Sequence, residues 1–136
     1  MSSAEADRLI AQLGLRPHPE GGYFREMFRD PDIVAGRACS TAILFLLKAG
    51  ETSRWHRVDA AEIWHYHRGA PLELIIGKRR HVLGADIEQG EWPQIVVPKG
   101  AWQSAVSLGD YTLVGCTVAP GFEFSGFEMA PPGFEP

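Results

Sequence analysis

The chain has 136 residues and a formal net charge of −4, with thirteen Lys and Arg against seventeen Asp and Glu. That length allows one domain with a self-sufficient core, and the acidic balance lacks the clustered positive charge that non-specific nucleic-acid binding needs. Two cysteines, Cys39 and Cys116, exclude a disulfide framework; Glu5, Asp7 and Arg8 interrupt any signal-peptide core; and the longest apolar run, Ala42 to Leu47, is far below the ~20 residues of a membrane span.

In chain order, the opening residues predict a helix. Ser2 and Glu5 have capping-box spacing, Ala6, Leu9, Ile10 and Leu13 fall on one helical face, and Gly14 stands where a helix C′ glycine belongs. From Pro17-His18-Pro19-Glu20-Gly21-Gly22 onward the chain reads as strand and turn. Fifteen Gly and ten Pro, spread along the chain, punctuate many short strands. Strands are predicted at 23–29, 40–47, 53–58, 61–67, 72–77, 80–86, 94–97, 102–107 and 111–118. The run Ala42 to Leu47 shows no alternation, so that strand needs cover on both faces, from the N-terminal helix or from a second subunit. The whole reads as one soluble, cytoplasmic domain over 1–136, all-β except for a short helix within 1–14. Its tail over 125–136 should be extended and frayed at Pro131-Pro132-Gly133. No nucleic acid and no membrane is expected as a partner.

The chemistry concentrates in Gly50 to Gly69. Gly50, five residues, His56, then Val58, three residues, Glu62, six residues and Gly69 resemble the first motif of the cupin superfamily, with Val58 in place of its second His. Pro98-Lys-Gly-Ala-Trp-Gln103 resembles the second motif, with Gln103 in place of its His. The block Leu13-Gly-Leu-Arg-Pro-His-Pro-Glu-Gly-Gly-Tyr-Phe-Arg-Glu26, the block from Glu62 to Leu74 and Val118-Ala-Pro-Gly-Phe122 are similar to a subfamily of small single-domain cupins catalogued as of unknown function. The resemblance implies a jelly-roll barrel (a double-stranded β-helix), commonly dimeric, with a pocket in its mouth. Members have been compared with the sugar-nucleotide 3,5-epimerases of the rhamnose pathway, which work without metal.

The departures decide the chemistry. Val58 cannot ligate and Gln103 offers a neutral amide oxygen, so a divalent ion would have only His56, Glu62 and Gln103. The expectation is therefore no firm cofactor and a metal-independent isomerase or epimerase acting on a sugar-nucleotide-like or other polar metabolite. His56 is the expected base, Glu62 its orienter or acid partner, and Tyr66 a donor on the far side. Strand parity groups Glu62, Trp64 and Tyr66 on one face and Arg54 with His56 on another. Arg54 or Arg25 would clamp a phosphate or carboxylate, while Tyr23, Trp64, Gln103 and Cys116 complete the expected ligand-binding set. His65 and His67 fall on the opposite parity, and their role stays open. A metal-dependent cupin enzyme and a non-catalytic binding module are the alternatives, and a homodimer is expected.

Overall fold

The computed structural model describes residues 3–136. Helix α1 spans Ala4–Leu13. Its cap is Ser3, whose hydroxyl accepts the Ala6 N–H at 3.2 Å. The expected cap Ser2 lies outside the described residues. Gly14 closes the helix in the left-handed region at φ 68°, and the Leu15 N–H returns 2.9 Å to the Ile10 carbonyl.

The strands follow as β1 (Arg16–Pro17), β2 (Tyr23–Arg29), β3 (Ile33–Val34), β4 (Arg37–Ala38), β5 (Thr41–Lys48) and β6 (Thr52–Val58). Then come β7 (Ala61–Gly69), β8 (Leu72–Ile76), β9 (Arg79–Leu83), β10 (Gln94–Val97), β11 (Gln103–Ser107), β12 (Tyr111–Ala119) and β13 (Phe127–Met129). They form two antiparallel sheets, ordered β1-β2-β5-β12-β7-β10 and β13-β6-β11-β8-β9, with β3 and β4 as a separate hairpin. The two sheets face each other as a jelly-roll sandwich. Among the described residues, no helix is long and apolar enough to cross a membrane.

Alternation along each strand fills the space between the sheets. Phe45 and Leu47 of β5, Trp64 of β7, Leu72 and Leu74 of β8 and Val114 of β12 form the inner core. The other face of β5 is apolar for a different reason. Leu46 is fully buried with Ala6 and Leu9 of α1, beside Tyr111 and Leu113 of β12. The doubly apolar strand is therefore covered by α1, and no second subunit is needed there.

Two expectations change. The tail is not loose: β13 pairs with β6, the Ala130 N–H donates to the Trp55 carbonyl at 2.9 Å, and the Phe134 ring lies 4.6 Å from Trp102. The strand at 53–58 also breaks parity. His56 pairs with Gln103 and Ser53 with Ala105, so β6 carries a bulge between them. Ser53 and His56 both turn inward, and Arg54, expected beside His56, is exposed on the outside.

Candidate functional site

One end of the sandwich stays open, and the bulge of β6 delivers His56 and Ser53 to it. Glu62 arrives from β7. A loop then adds what strand patterns cannot show. Residues 18–22 turn tightly, with the His18 N–H donating to the Gly22 carbonyl at 2.9 Å and the Gly21 N–H to the His18 carbonyl at 3.0 Å. Gly21 has φ 110°, and any side chain there would collide with the Thr52 carbonyl of β6. The Arg54 N–H donates to the Glu20 carbonyl at 2.8 Å and stitches the loop to the bulge. His18 and Glu20 are thereby pressed into the barrel, and both are buried.

The hydrogen bonds fix the protons. The His56 Nδ1 lies 2.7 Å from the Arg54 carbonyl oxygen, which can only accept, so Nδ1 carries the hydrogen. In the neutral ring, Nε2 is then a free base, 3.6 Å from Glu20 Oε2. The Ser53 hydroxyl donates to the same Glu20 oxygen. The Glu20 N–H donates to His18 Nδ1 at 3.1 Å, so the neutral His18 carries its hydrogen on Nε2. Behind Glu62, the Trp64 indole N–H donates to Gln103 Oε1 at 2.9 Å, which turns the Gln103 amide nitrogen toward Glu62 Oε1 at 2.8 Å.

Burial sets the charge states. It raises the Glu20 carboxyl to about 8, against the opposing Ser53 hydrogen bond and Arg54 charge. It lowers His18 to about 4, helped by neighbouring His56. It also lowers His56, against the pull of Glu62 and the Arg54 carbonyl, and raises Glu62, against His56. Near neutral pH the pocket floor thus presents a protonated Glu20 beside a neutral His56. Cys116 lines the same cavity, but its thiol is pushed well up by burial and by Glu62, which leaves it unreactive.

The cavity encloses about 70 Å³ and opens to solvent at its mouth. Its walls are aromatic: Phe24, Phe122, Phe124 and Phe127 surround the imidazoles, with Phe127 5.4 Å from His56 and Phe24 4.5 Å from His18, ring centre to ring centre. Arg29 stands at the mouth, but its guanidinium is held by Glu26 at 2.6 Å and Glu123 at 3.5 Å.

Of the residues singled out from the sequence, His56, Glu62 and Cys116 line this cavity. Gln103 and Trp64 stand behind Glu62 and orient it. Tyr66 shares the inner face but not the cavity lining, and its hydroxyl donates to the Gly69 carbonyl at 2.6 Å. Arg54 and Arg25 point elsewhere, donating to the carbonyls of Pro19 and Leu13, so the expected anion clamp is not assembled. Tyr23 packs toward α1 with the Lys48 ammonium 5.2 Å from its ring centre. His65 sits outside, 2.9 Å from the Thr117 hydroxyl. The reading from sequence missed His18, Glu20, Ser53 and the three phenylalanines of the closing segment. The Gly21-Gly22 pair after Glu20 was the available signal that this loop approaches another backbone closely.

The divalent ion of many cupins does not fit these donors. Gln103, at a histidine position of the second motif, spends its oxygen on Trp64 and shows Glu62 an N–H donor, and Val58 offers only hydrocarbon. Among the described residues, no three His, Cys, Asp or Glu side chains converge as a metal site.

Residues 7–130 match the family described as Cupin superfamily (DUF985). The X-ray structure of a Shewanella oneidensis protein is 37% identical with a TM-score of 0.88, over 96% of this chain and 85% of that one. A hypothetical protein from Leishmania major is 36% identical with a TM-score of 0.86, over 92% and 86%. A cupin 2 conserved barrel domain protein from Rhodopseudomonas palustris shares the fold at 13% identity and a TM-score of 0.62, over 86% and 73%. No curated protein matches the chain.

Proposed function

This chain belongs to the DUF985 family of the cupin superfamily, and we propose that its barrel binds a small polar metabolite and interconverts isomers of it by metal-independent proton transfer. One observation carries this reading: the Arg54 carbonyl holds the His56 Nδ1 hydrogen, leaving Nε2 as a base 3.6 Å from Glu20 inside an aromatic-walled cavity. His56 Nε2 takes a proton from a carbon next to the substrate carbonyl. The protonated Glu20 donates to the carbonyl oxygen, so an enol forms without a free negative charge in a dry site. Where the carbon next to the carbonyl bears a hydroxyl, the imidazolium returns its proton to the former carbonyl carbon while the Glu20 carboxylate takes the proton of that neighbouring hydroxyl, so the carbonyl moves by one carbon and both groups are restored. Glu62, held by Gln103, stabilises the transient imidazolium. Glu20 takes the donor role first expected of Tyr66.

Arg54 and Arg25 face away, and Arg29 is paired with carboxylates, so the substrate class is an uncharged hydroxy-carbonyl compound rather than a sugar nucleotide. The test is proton exchange from solvent D2O into a panel of such compounds, followed by NMR. Wild-type protein is expected to label the carbon next to the carbonyl, and His56→Ala to lose the activity by about 100-fold or more. Ligand binding without any exchange would leave a binding module. Elemental analysis is expected to find well under one equivalent of transition metal; a full equivalent that survives dialysis would promote the metal-dependent alternative.

A further inference from the structure

Proton transfer through His56 and Glu20 leaves one buried imidazole of the cavity without a task. His18 lines the same space, and the Glu20 N–H donates to its Nδ1 at 3.1 Å. That bond fixes the hydrogen of the neutral ring on Nε2. Phenylalanines clamp the ring edge-on, with Phe24, Phe45 and Phe127 at 4.5, 5.8 and 6.1 Å between ring centres. Hydrocarbon on those sides offers Nε2 no acceptor, and among the described residues it has no hydrogen-bond partner. Among those residues, His81 Nδ1 on β9 is the only side-chain nitrogen or oxygen both sealed from solvent and unpartnered. His18 Nε2 is therefore open to the cavity, a donor held ready for an oxygen that the chain does not supply.

The neighbours say which oxygen. The Glu20 carboxyl spans the two imidazoles, with Oε1 3.4 Å from His18 Nδ1 and Oε2 3.6 Å from His56 Nε2. A carbonyl oxygen that meets Glu20, with its adjoining carbon at His56, leaves the other ring for a second oxygen. Burial, with His56 nearby, holds His18 down to about 4. Near neutral pH its ring therefore donates a hydrogen bond as a neutral group and keeps its proton.

We infer that His18 Nε2–H binds the hydroxyl oxygen next to the substrate carbonyl, and so makes the site selective for α-hydroxy-carbonyl compounds over plain ketones and aldehydes. This rests on the proton-transfer reading of the cavity and adds the group that recognises the second oxygen. The bond occupies a lone pair of the hydroxyl oxygen, so the hydroxyl hydrogen stays free for Glu20. A plain ketone sets hydrocarbon against Nε2–H and leaves that donor buried and unpaired, which is how a site rejects an analogue lacking a hydroxyl.

The test compares hydroxyacetone with butanone, which has a methyl group in place of the hydroxyl, by D2O exchange at the CH2 group. With each rate taken relative to its uncatalysed exchange, wild-type protein is expected to favour hydroxyacetone by about 100-fold or more in kcat/KM. His18→Asn keeps an amide oxygen for the Glu20 N–H but removes the Nε2 donor, whereas His18→Gln carries an N–H near the Nε2 position and loses the acceptor. The preference is expected to fall below about tenfold in His18→Asn and to survive in His18→Gln. A histidine needed only to hold its loop would reverse that order and overturn the inference. In wild-type protein, where no variant has to fold, millimolar hydroxyacetone is expected to shift the His18 Nε2 resonance in 15N NMR, and butanone to leave it in place. If hydroxyacetone shifts that resonance but gains no exchange, the proton-transfer reading falls and the hydroxyl donor stands. Equal exchange of the two ketones by wild-type protein, or an Nε2 resonance indifferent to hydroxyacetone, overturns the inference.

Discussion

The two ends of the sandwich are built from the same strands and could hardly differ more. β7 shows it within five residues: Glu62 lines the cavity, Trp64 is sealed in the core, and Tyr66 turns to the Gly69 carbonyl. At the closed end Leu72, Leu74 and Leu83 are fully buried in the apolar core, and their packing stabilises it. At the open end His18, Glu20, His56 and Glu62 are equally buried but are held by named hydrogen bonds. The first end keeps the fold and the second puts part of that stability at risk for reactivity. Buried ionisable groups shifted away from their ordinary values cost folding energy whenever solvent pH favours their charged forms.

That contrast can be broken most sharply at His56. His56→Ala is expected to lower turnover by about 100-fold to 10,000-fold while the melting temperature moves little, because the site is a cavity wall. Leu74→Ala at the closed end should do the opposite. A loss of about 2–5 kcal/mol in urea unfolding is expected, with activity per folded molecule retained.

The pH dependence sharpens the comparison further. Glu20 keeps its proton in the folded chain up to about 8 but loses it near 4.5 when unfolded. The folded state then holds more protons across that window, and stability falls as pH rises through it. His18 acts in the other direction, since its folded value near 4 lies below its ordinary 6.5, so its cost appears only as pH drops below 6.5. Between pH 6.5 and 8, wild-type protein is therefore expected to lose about 2 kcal/mol, and Glu20→Gln to lose clearly less. Equal slopes for the two proteins in chemical unfolding would contradict the assignment of Glu20. The smallest effect belongs to neither end. Ala35, at φ 51°, occupies a left-handed turn position before Gly36, and Ala35→Asn is expected to stabilise the β3–β4 hairpin by about 0.5–1 kcal/mol in thermal unfolding.

The order of the strands was legible because turn residues and apolar alternation are local signals. The segment 23–29 is a strand with those same bounds, and 94–97 likewise. Inner faces for His56 and Glu62 were implied by the resemblance of the Gly50 to Gly69 spacing to the first cupin motif. Arg54 was misplaced because a bulge changes parity without changing composition, and the extra residue shows only when β6 is laid against β11. Gln103 stood out as a replaced histidine, but that its amide orients Glu62 depends on Trp64, 39 residues away. The outer cover of β5 was narrowed to two candidates, and only packing distinguishes α1 from a second subunit.

By itself, then, the sequence determined the sheet-rich architecture, which follows from residue type and turn spacing, and its resemblance to the cupin motifs implied the inward histidine and carboxylate and the loss of two metal ligands. The tertiary structure alone decided that Glu20, 33 residues from Ser53 and 36 from His56, joins them in the barrel. A carboxyl in a proline- and glycine-rich loop carries no periodic signal. Its burial, its proton and its chemistry exist only once Gly21 lets that loop lie against the backbone of β6.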